Sequence, residues 1–398
     1  MPDAVGRVVG RSRVRSTLHR VQLALDDDQQ FFQETTRKFL EQETPITAVR
    51  ALADDPAGFD RSWWARGAEL GWTSLLVPEA NGGGSLSGQG VLDLVIVAEE
   101  MGRLVSPGPL LPASVATLAI AEGATHELRD AVLPRIVSGD VIASWCPVLP
   151  GGEGVSVTAE ARDDGFVLTG TATPVEAAAQ ADELLVTATT ANGLTQFLVA
   201  TDAPGVTIEP LGSVDLVRRF ATVHFDAVTM ASDRVVGVVD GAADAAARQL
   251  QLAVVLQCAE TVGALDRVLE FTLEYLADRT SFGRPLASYQ ALKHRIADMD
   301  MWLEASHGIT ELAAVAVQER ADDVDEVVSA AASYVGDHAT EVVQECTQLH
   351  GGIGVTWEHD LHLYLRRLTL HRSLHGTPAQ HREHLAAALL DDGGSTHG

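Results

Sequence analysis

The most informative part of the chain is Arg279-Thr280-Ser281-Phe282-Gly283-Arg284-Pro285-Leu286, which lies between two long helical patterns and combines cations, a hydroxyl and an aromatic ring. Tyr289-Gln290 follows at the start of the second helical pattern. A guanidinium held at the junction of two helices is well suited to a phosphate group. The same stretch is also compatible with an ordinary corner between helices.

A second segment, Gln348-Leu349-His350-Gly351-Gly352-Ile353-Gly354, ends the next helical pattern. Because glycines carry no side chain, the backbone at a glycine pair can approach a ligand closely. A glycine at a helix end is equally typical of a plain C-terminal cap. Each segment alone therefore leaves a structural and a binding interpretation open.

Helical periodicity surrounds both segments. Ala-rich stretches over 243–277, about 287–318, 325–350 and near 377–391 predict long helices. Helices of this length favour an up-and-down bundle.

Two other patterns precede the bundle. From 141 to about 237, short runs rich in Val and Thr, with a turn at Asp164-Gly165, predict a β domain. Residues 25 to about 140 have a helical pattern that begins with three aspartates at 26–28. The predicted parts are a disordered basic extension (1–24), an N-terminal α-helical domain (25–140), a central β domain (141–240), a C-terminal helical bundle (241–392) and a tail (393–398).

Composition limits the classes of function. The 398 residues are 46% hydrophobic and 21% charged, as in ordinary globular proteins. Asp and Glu number 55 against 28 Lys and Arg, and the formal net charge of −27 repels nucleic acid and anionic lipid. Three scattered cysteines form no disulfide framework, and no apolar run reaches the ~20 residues of a membrane helix. We therefore expect a cytoplasmic protein without nucleic-acid or membrane partners.

Residues 1–24 differ from the rest of the chain in charge. They carry five arginines and only one acidic residue, Asp3, and they lack the apolar core of a secretory signal. An organellar transit peptide would also be rich in arginine. We interpret the segment as a disordered basic extension.

Histidine pairs are the obvious reactive candidates. His371 and His375 lie four residues apart, a spacing that permits two metal ligands on one helix face. No carboxylate pattern such as HExxH completes a metal site, so we predict no metal. The sequence also contains no GxSxG, P-loop or GxGxxG motif, which removes support for a serine hydrolase, a nucleotide triphosphatase or a Rossmann dehydrogenase.

Taken together and in this order, the two segments resemble signature segments of the acyl-CoA dehydrogenase family. Further matches are Trp63 through Trp72, Leu76-Val77-Pro78-Glu79 with Gly82-Gly83, Glu99-Glu100-Met101-Gly102-Arg103 and Phe225-Asp226. The resemblance covers about residues 25–390. It implies an α+β fold with an N-terminal helical domain, a central β-barrel or sandwich domain and a C-terminal four-helix bundle.

The resemblance also implies a chemistry. Family members desaturate an acyl-CoA thioester between its α and β carbons: a glutamate removes the α-proton, and FAD accepts a hydride. The flavin is shared at a subunit interface, and an electron-transfer flavoprotein or similar acceptor follows. One subunit contributes the Arg-x-x-Phe-Gly loop and the Gln-x-x-Gly-Gly corner to the pyrophosphate and adenosine. The cofactor-binding residues carried over to this chain are Arg279, Ser281, Phe282, Leu286, Tyr289, Gln348, Gly351, Gly352 and Thr377.

The other half of the shared site departs from the family pattern. Trp145-Cys146-Pro147 stands where the family has Thr-Glu-Pro, and Gly151-Gly152-Glu153-Gly154 stands where it has Gly-Ser-Asp. Gly170-Thr171-Ala172-Thr173-Pro174-Val175 replaces Gly-Thr-Lys followed by aromatic-Ile-Thr. These differences imply that the β-domain contacts to the flavin are lost.

Both positions at which the family carries its base also lack a carboxylate. The usual Glu-Gly-Thr tripeptide reads His375-Gly376-Thr377, and the alternative position on the first helix of the bundle is Ala253. Imidazole, with a pKa of ~6.5, can accept a proton, so His375 is the candidate for a substitute base.

Three hypotheses follow from this pattern. The chain is the base-lacking subunit of a heteromeric α2β2 dehydrogenase, of the kind that acts on bulky steroid side-chain acyl-CoA in actinobacteria. It would then pair with a homologous subunit that carries the catalytic glutamate. Alternatively, it is a self-sufficient dehydrogenase that uses His375 or another base, or a flavin-dependent monooxygenase of the same fold. We favour the first.

Overall fold

The computed structural model describes residues 25–148 and 155–394. The predicted basic extension, the glycine-rich stretch 151–154 and the last residues of the predicted tail lie outside these ranges. Within the described residues a group of helices comes first, a β-sheet follows, and long helices form the remainder.

The N-terminal part is a group of helices around an aromatic core. The helices are α1 (Asp27–Glu43), α2 (Ile46–Ala51), α3 (Arg61–Glu69), α4 (Gly90–Arg103), α5 (Leu110–Gly123) and α6 (His126–Val137). The acidic start predicted for the first helix is confirmed, because Asp26 accepts from the backbone N–H of Gln29 and forms a capping box with it. Trp63 and Trp72 pack edge to face, with ring centroids 5.7 Å apart.

The middle part is a mixed sheet. Its strands are β1 (Ala143–Cys146), β2 (Val155–Arg162), β3 (Gly165–Glu176), β4 (Glu183–Thr189), β5 (Leu194–Ala200), β6 (Val206–Leu211), β7 (Phe220–Ala231) and β8 (Val235–Val236). The strand order is β6-β7-β3-β2-β4-β5-β8, and β1 pairs with β4 in parallel. The predicted turn at Asp164-Gly165 joins β2 to β3, which pair antiparallel from Arg162 and Gly165 onward.

The C-terminal part is a set of long helices. They are α7 (Ala243–Asp278), α8 (Gln290–Glu319), α9 (Val324–His350), α10 (Leu361–His371) and α11 (Pro378–Gly394). The four predicted helical stretches correspond to α7, α8, α9 and α11, and α11 continues two residues into the predicted tail. The sequence pattern missed α10, because buried Arg367 and His371 interrupt its apolar face.

Helix α7 crosses α4 at very short range. A side chain at Gly263 would place its Cβ 1.9 Å from the Glu99 carbonyl oxygen, and one at Gly102 would come 2.0 Å from the Glu260 carbonyl oxygen. Only glycine at both positions allows the two backbones to touch. This crossing brings Glu260 of α7 against the N-terminal helices, close to loops of the sheet.

Candidate functional site

The segment that begins at Arg279 forms a small hairpin rather than a plain loop. Thr280–Ser281 pairs antiparallel with Arg284–Pro285, and the tip is Phe282-Gly283. Both tip residues have positive φ angles, 49° and 78°, which glycine adopts easily and phenylalanine rarely. The Phe282 side chain is 98% exposed. The hairpin therefore presents an aromatic ring to the surroundings of the chain.

Contacts with the flanking helices hold the hairpin in place. The Tyr289 hydroxyl donates to the Ser281 carbonyl oxygen at 2.8 Å, and the Arg284 guanidinium lies 3.9 Å from the centre of the Tyr289 ring. The Arg279 carbonyl accepts from the backbone N–H of Leu286 at 2.8 Å. The Arg279 side chain is exposed and forms no ion pair with any residue that the structure describes. A fixed backbone with an unpaired guanidinium fits a phosphate.

The glycine corner lies next to this hairpin. The Tyr275 hydroxyl, near the end of α7, donates to the His350 carbonyl at 3.2 Å, and the two rings stack with centroids 4.5 Å apart. Gln348 is exposed, and a Cβ at Gly351 or Gly352 would meet nothing within 4 Å. Through Tyr275, which lies four residues before Arg279, the structure places the ends of the two helices that precede these segments beside each other.

The predicted base, His375, lies in the interior of the chain and not on its surface. Its side chain is only 7% exposed, and its ring centroid lies 5.7 Å from that of Trp145 on β1. Its Nδ1 lies 3.0 Å from Oε1 of Gln257, whose amide nitrogen donates to the His371 carbonyl at 2.8 Å. Burial, aided by the positive charge of Arg218 and nearby imidazoles, lowers the pKa of His375 to about 3. The ring is therefore neutral and weakly basic.

Thr377, the last residue of the same tripeptide, acts as a helix cap. Its hydroxyl donates to Oε1 of Gln380 at 2.9 Å, and its backbone N–H donates to the same oxygen at 2.8 Å. These bonds satisfy groups at the start of α11. The contacts that the structure shows for Thr377 are local ones.

At the second base position, Ala253 is fully buried in α7. Two helical turns later the same helix carries a carboxylate, Glu260, which is 1% exposed. Burial opposes ionisation of Glu260, but Arg218, His371 and Arg367 outweigh it and lower its pKa to about 2. A carboxylate held as an ion in this way is a poor proton acceptor at neutral pH.

Glu260 belongs to a group of buried charged residues that we call the ionic cluster. Its members are Glu176, Asp215, Arg218, Glu260, Arg367 and His371. Arg218 donates to both Glu176 and Glu260, which raises its own pKa against the effect of burial. Nε of Arg367 donates to Asp215 at 2.5 Å, and Nη2 of the same side chain donates to the carbonyls of residues 105 and 106. The cluster therefore ties the sheet, α7, α10 and the N-terminal helices together.

The ionic cluster stands beside the segments that depart from the family pattern. Glu176 directly follows Val175 on β3, and Ala172, Val175 and Cys146 are fully buried by the chain itself. Trp145 is 2% exposed against His375. These buried residues are engaged with one another and present no surface to a flavin ring, whereas Thr173 and Pro174 of the same segment are exposed. The Arg279 hairpin and the glycine corner, by contrast, fit the phosphate end of a cofactor.

The sequence interpretation missed Arg218, Glu260 and Arg367. One signal was available, because Glu260 is the only charged residue in the apolar run 252–265 of α7. A lone charge in a buried helix face requires a buried partner. The sequence does not say which residues supply that partner.

Two negative findings concern the residues that the structure describes. Among them, no group of three or more His, Cys, Asp or Glu side chains is arranged to hold a metal ion. Over the same ranges, no helix is long and apolar enough to cross a membrane.

Two family models match the chain. Residues 26–140 match the acyl-CoA dehydrogenase N-terminal domain, and residues 240–390 match the acyl-CoA dehydrogenase C-terminal domain. The acyl-CoA dehydrogenase IpdE2 of Mycobacterium tuberculosis is 30% identical over 86% of this chain and 91% of its own length.

Two solved structures are similar over almost the whole chain. One is a variant of the Tcur3481-Tcur3483 steroid acyl-CoA dehydrogenase, with 30% identity, a TM-score of 0.83, and coverage of 93% of this chain and 99% of that chain. The other is the ChsE4-ChsE5 complex from Mycobacterium tuberculosis, with 28% identity, a TM-score of 0.83, and coverage of 92% and 98%.

Proposed function

This chain belongs to the acyl-CoA dehydrogenase family, and we propose that within it the chain is the base-lacking subunit of a heteromeric, FAD-dependent enzyme. The proposed partner is a homologous subunit that carries the catalytic glutamate. Together they would introduce an α,β double bond into a bulky acyl-CoA.

One contrast carries this proposal. The residues that the family uses to contact a neighbouring subunit's flavin are exposed or half-buried, with Phe282 98% exposed and Arg279 unpaired among the described residues. At the chain's own flavin wall, Trp145, Ala172 and Val175 are buried beside the ionic cluster, whereas Thr173 and Pro174 of the same wall are exposed. Half of a shared site is thus available to a partner, and buried side chains fill part of the other half.

In this proposal the two subunits have different roles. FAD supplies the hydride acceptor. In this proposal Arg279 and the backbone at Gly351 and Gly352 hold its phosphate end, as charge-assisted and backbone contacts do elsewhere. The partner supplies the proton acceptor and the wall beside the flavin ring. Neither His375, with its pKa near 3, nor the ionised Glu260 is suited to take an α-proton.

The substrate class is proposed from the relatives. One similar structure is a steroid acyl-CoA dehydrogenase with two named components, and another is a complex of two chains. We therefore propose a steroid side-chain acyl-CoA as substrate, and an electron-transfer flavoprotein or similar protein as the acceptor of the electrons.

Co-expression tests the proposal. We would purify the chain alone, and together with a homologue that has glutamate at the base position, and measure FAD per chain and desaturation of a steroid side-chain CoA thioester. We expect little FAD and no activity for the chain alone. The complex should contain about one FAD per two chains, because a pair of subunits forms two shared sites and the altered flavin wall of this chain removes one of them. A homomer with one tightly bound FAD per chain and full activity would refute the proposal.

A further inference from the structure

A cavity of about 560 Å³ lies between the start of α1, one face of α4 and the middle of α8. Its volume is within the range of small-molecule sites. It is separate from the Arg279 hairpin, the glycine corner and the ionic cluster, none of whose members line it.

The walls of this cavity combine apolar and acidic surfaces. Leu92, Val95 and Ile96 of α4 form an apolar side. Carboxylates line the cavity from both helices, Glu99 from α4 and Glu304 and Glu311 from α8. Amide side chains of three glutamines complete the lining, namely Gln29, Gln33 and Gln89. This distribution matches a molecule with an apolar body and a positively charged end.

A glycine keeps the cavity wide. Gly308 lies inside the 30-residue helix α8, where glycine costs about 1 kcal/mol relative to alanine. Packing does not explain it, because a Cβ at this position would meet nothing within 4 Å. Its neighbours in the lining, His307 and Glu311, face the same space. A larger residue at 308 would project into the cavity.

We propose that this cavity is a binding site for an organic ammonium compound, with its charged end at Glu99 and its alkyl body against Leu92, Val95 and Ile96. A divalent metal is a poorer candidate, because no group of three or more suitable ligands exists among the described residues. An anion is disfavoured, because three carboxylates and only one imidazole line the cavity. The inference does not depend on the function proposed above.

The charge state of the cavity supports the choice of ligand. Burial raises the pKa of Glu99 to about 7; His307, whose Nδ1 lies 3.8 Å from it, opposes the rise, while Asp266, Glu100 and Glu311 add to it. An ammonium group would favour the ionised carboxylate. Binding near neutral pH should therefore release protons, and affinity should increase from pH 6 to pH 8.

Calorimetry with hexylammonium and with hexanol, on the full chain, tests the site. We expect saturable binding of hexylammonium and at least about tenfold weaker binding of hexanol. Titrations in two buffers with different heats of ionisation should show proton release. Absence of hexylammonium binding at millimolar concentration, or equal affinity for both compounds, overturns the proposal.

Three variants locate the binding. Gly308→Leu should fill the cavity and Glu99→Gln should remove its central charge, and each should weaken hexylammonium binding about tenfold or more. Ala297→Leu, at an exposed position on the same helix outside the cavity, should leave binding unchanged. Circular dichroism checks that each variant is folded.

Unchanged affinity in both cavity variants places the binding elsewhere. Binding that appears only after deletion of residues 2–24 also overturns the proposal, since it assigns the cavity to the chain's own basic segment.

Discussion

Nδ1 of His375 lies 3.0 Å from Oε1 of Gln257, and this contact fixes the tautomer of the ring. Because the amide nitrogen of Gln257 donates to the His371 carbonyl, its oxygen faces the imidazole and must accept a hydrogen from Nδ1. Nε2 is then the only basic atom of the ring. The side chain at the family's base position is therefore a hydrogen-bonded core group.

The first prediction concerns the dependence of stability on pH. The pKa of His375 is about 3 in the folded chain and ~6.5 in the unfolded chain. The unfolded state binds more protons between these values, so stability is complete above pH 6.5 and decreases as the pH falls. Between pH 7.5 and pH 5 the loss from this group is about 2 kcal/mol.

Urea denaturation of the wild type and of His375→Gln at both pH values measures this effect. Other buried histidines titrate in both proteins, so the difference between the two pH dependences isolates His375. We expect the variant to lose about 2 kcal/mol less than the wild type on acidification. Identical pH dependences would show that the ring is accessible to protons in the folded state.

The second prediction concerns the ionic cluster. Arg218→Met leaves Glu176 and Glu260 buried without their shared cation, so we expect a loss of about 3–5 kcal/mol in the free energy of unfolding. Lys38→Met is the matched control, because Lys38 pairs with Glu34 on the exposed side of α1. It should leave stability nearly unchanged. Equal effects of the two substitutions in denaturant titrations would contradict the buried pairing.

Sequence patterns predicted most of the secondary structure, with α10 missed, but not the contacts between the three parts. The long helices and the β2–β3 turn follow from periodicity and turn residues, which are local properties. The bond between Arg218 and Glu260 joins residues 42 positions apart. The apolar run around Glu260 indicates that this charge needs a buried partner, but no periodicity identifies Arg218 as that partner.

The same distinction applies to the candidate site. Sequence motifs identify Arg279 and Gly351. Each residue directly follows one of two neighbouring helices, whose ends lie beside each other. The environment of His375 depends on Trp145, more than 200 residues earlier in the chain. The motif indicates which residue replaces the glutamate, whereas the burial that lowers its pKa is visible only in the fold.

The third prediction concerns Arg279. Since its side chain is exposed, Arg279→Ala should leave the free energy of unfolding of the chain unchanged. In the complex with the partner subunit it should weaken FAD retention roughly ten- to a hundredfold, through loss of a charge-assisted contact to phosphate. Arg162→Ala, an exposed arginine on β2, is the control. Equal FAD retention by both variants during equilibrium dialysis would contradict the proposed role of the hairpin.

The last prediction separates the two principal hypotheses. A general base contributes roughly 10²–10⁴-fold to turnover, so in a self-sufficient enzyme His375→Ala should abolish most activity. In a heteromeric enzyme whose base lies on the partner, we expect at most a roughly threefold loss, because the ring then contributes only packing against Trp145 and a hydrogen bond to Gln257. Steady-state turnover of the assembled variant, with bound FAD quantified by its absorbance, measures the difference. A hundredfold loss with FAD still bound would identify His375 as the base and exclude the subunit role proposed for this chain.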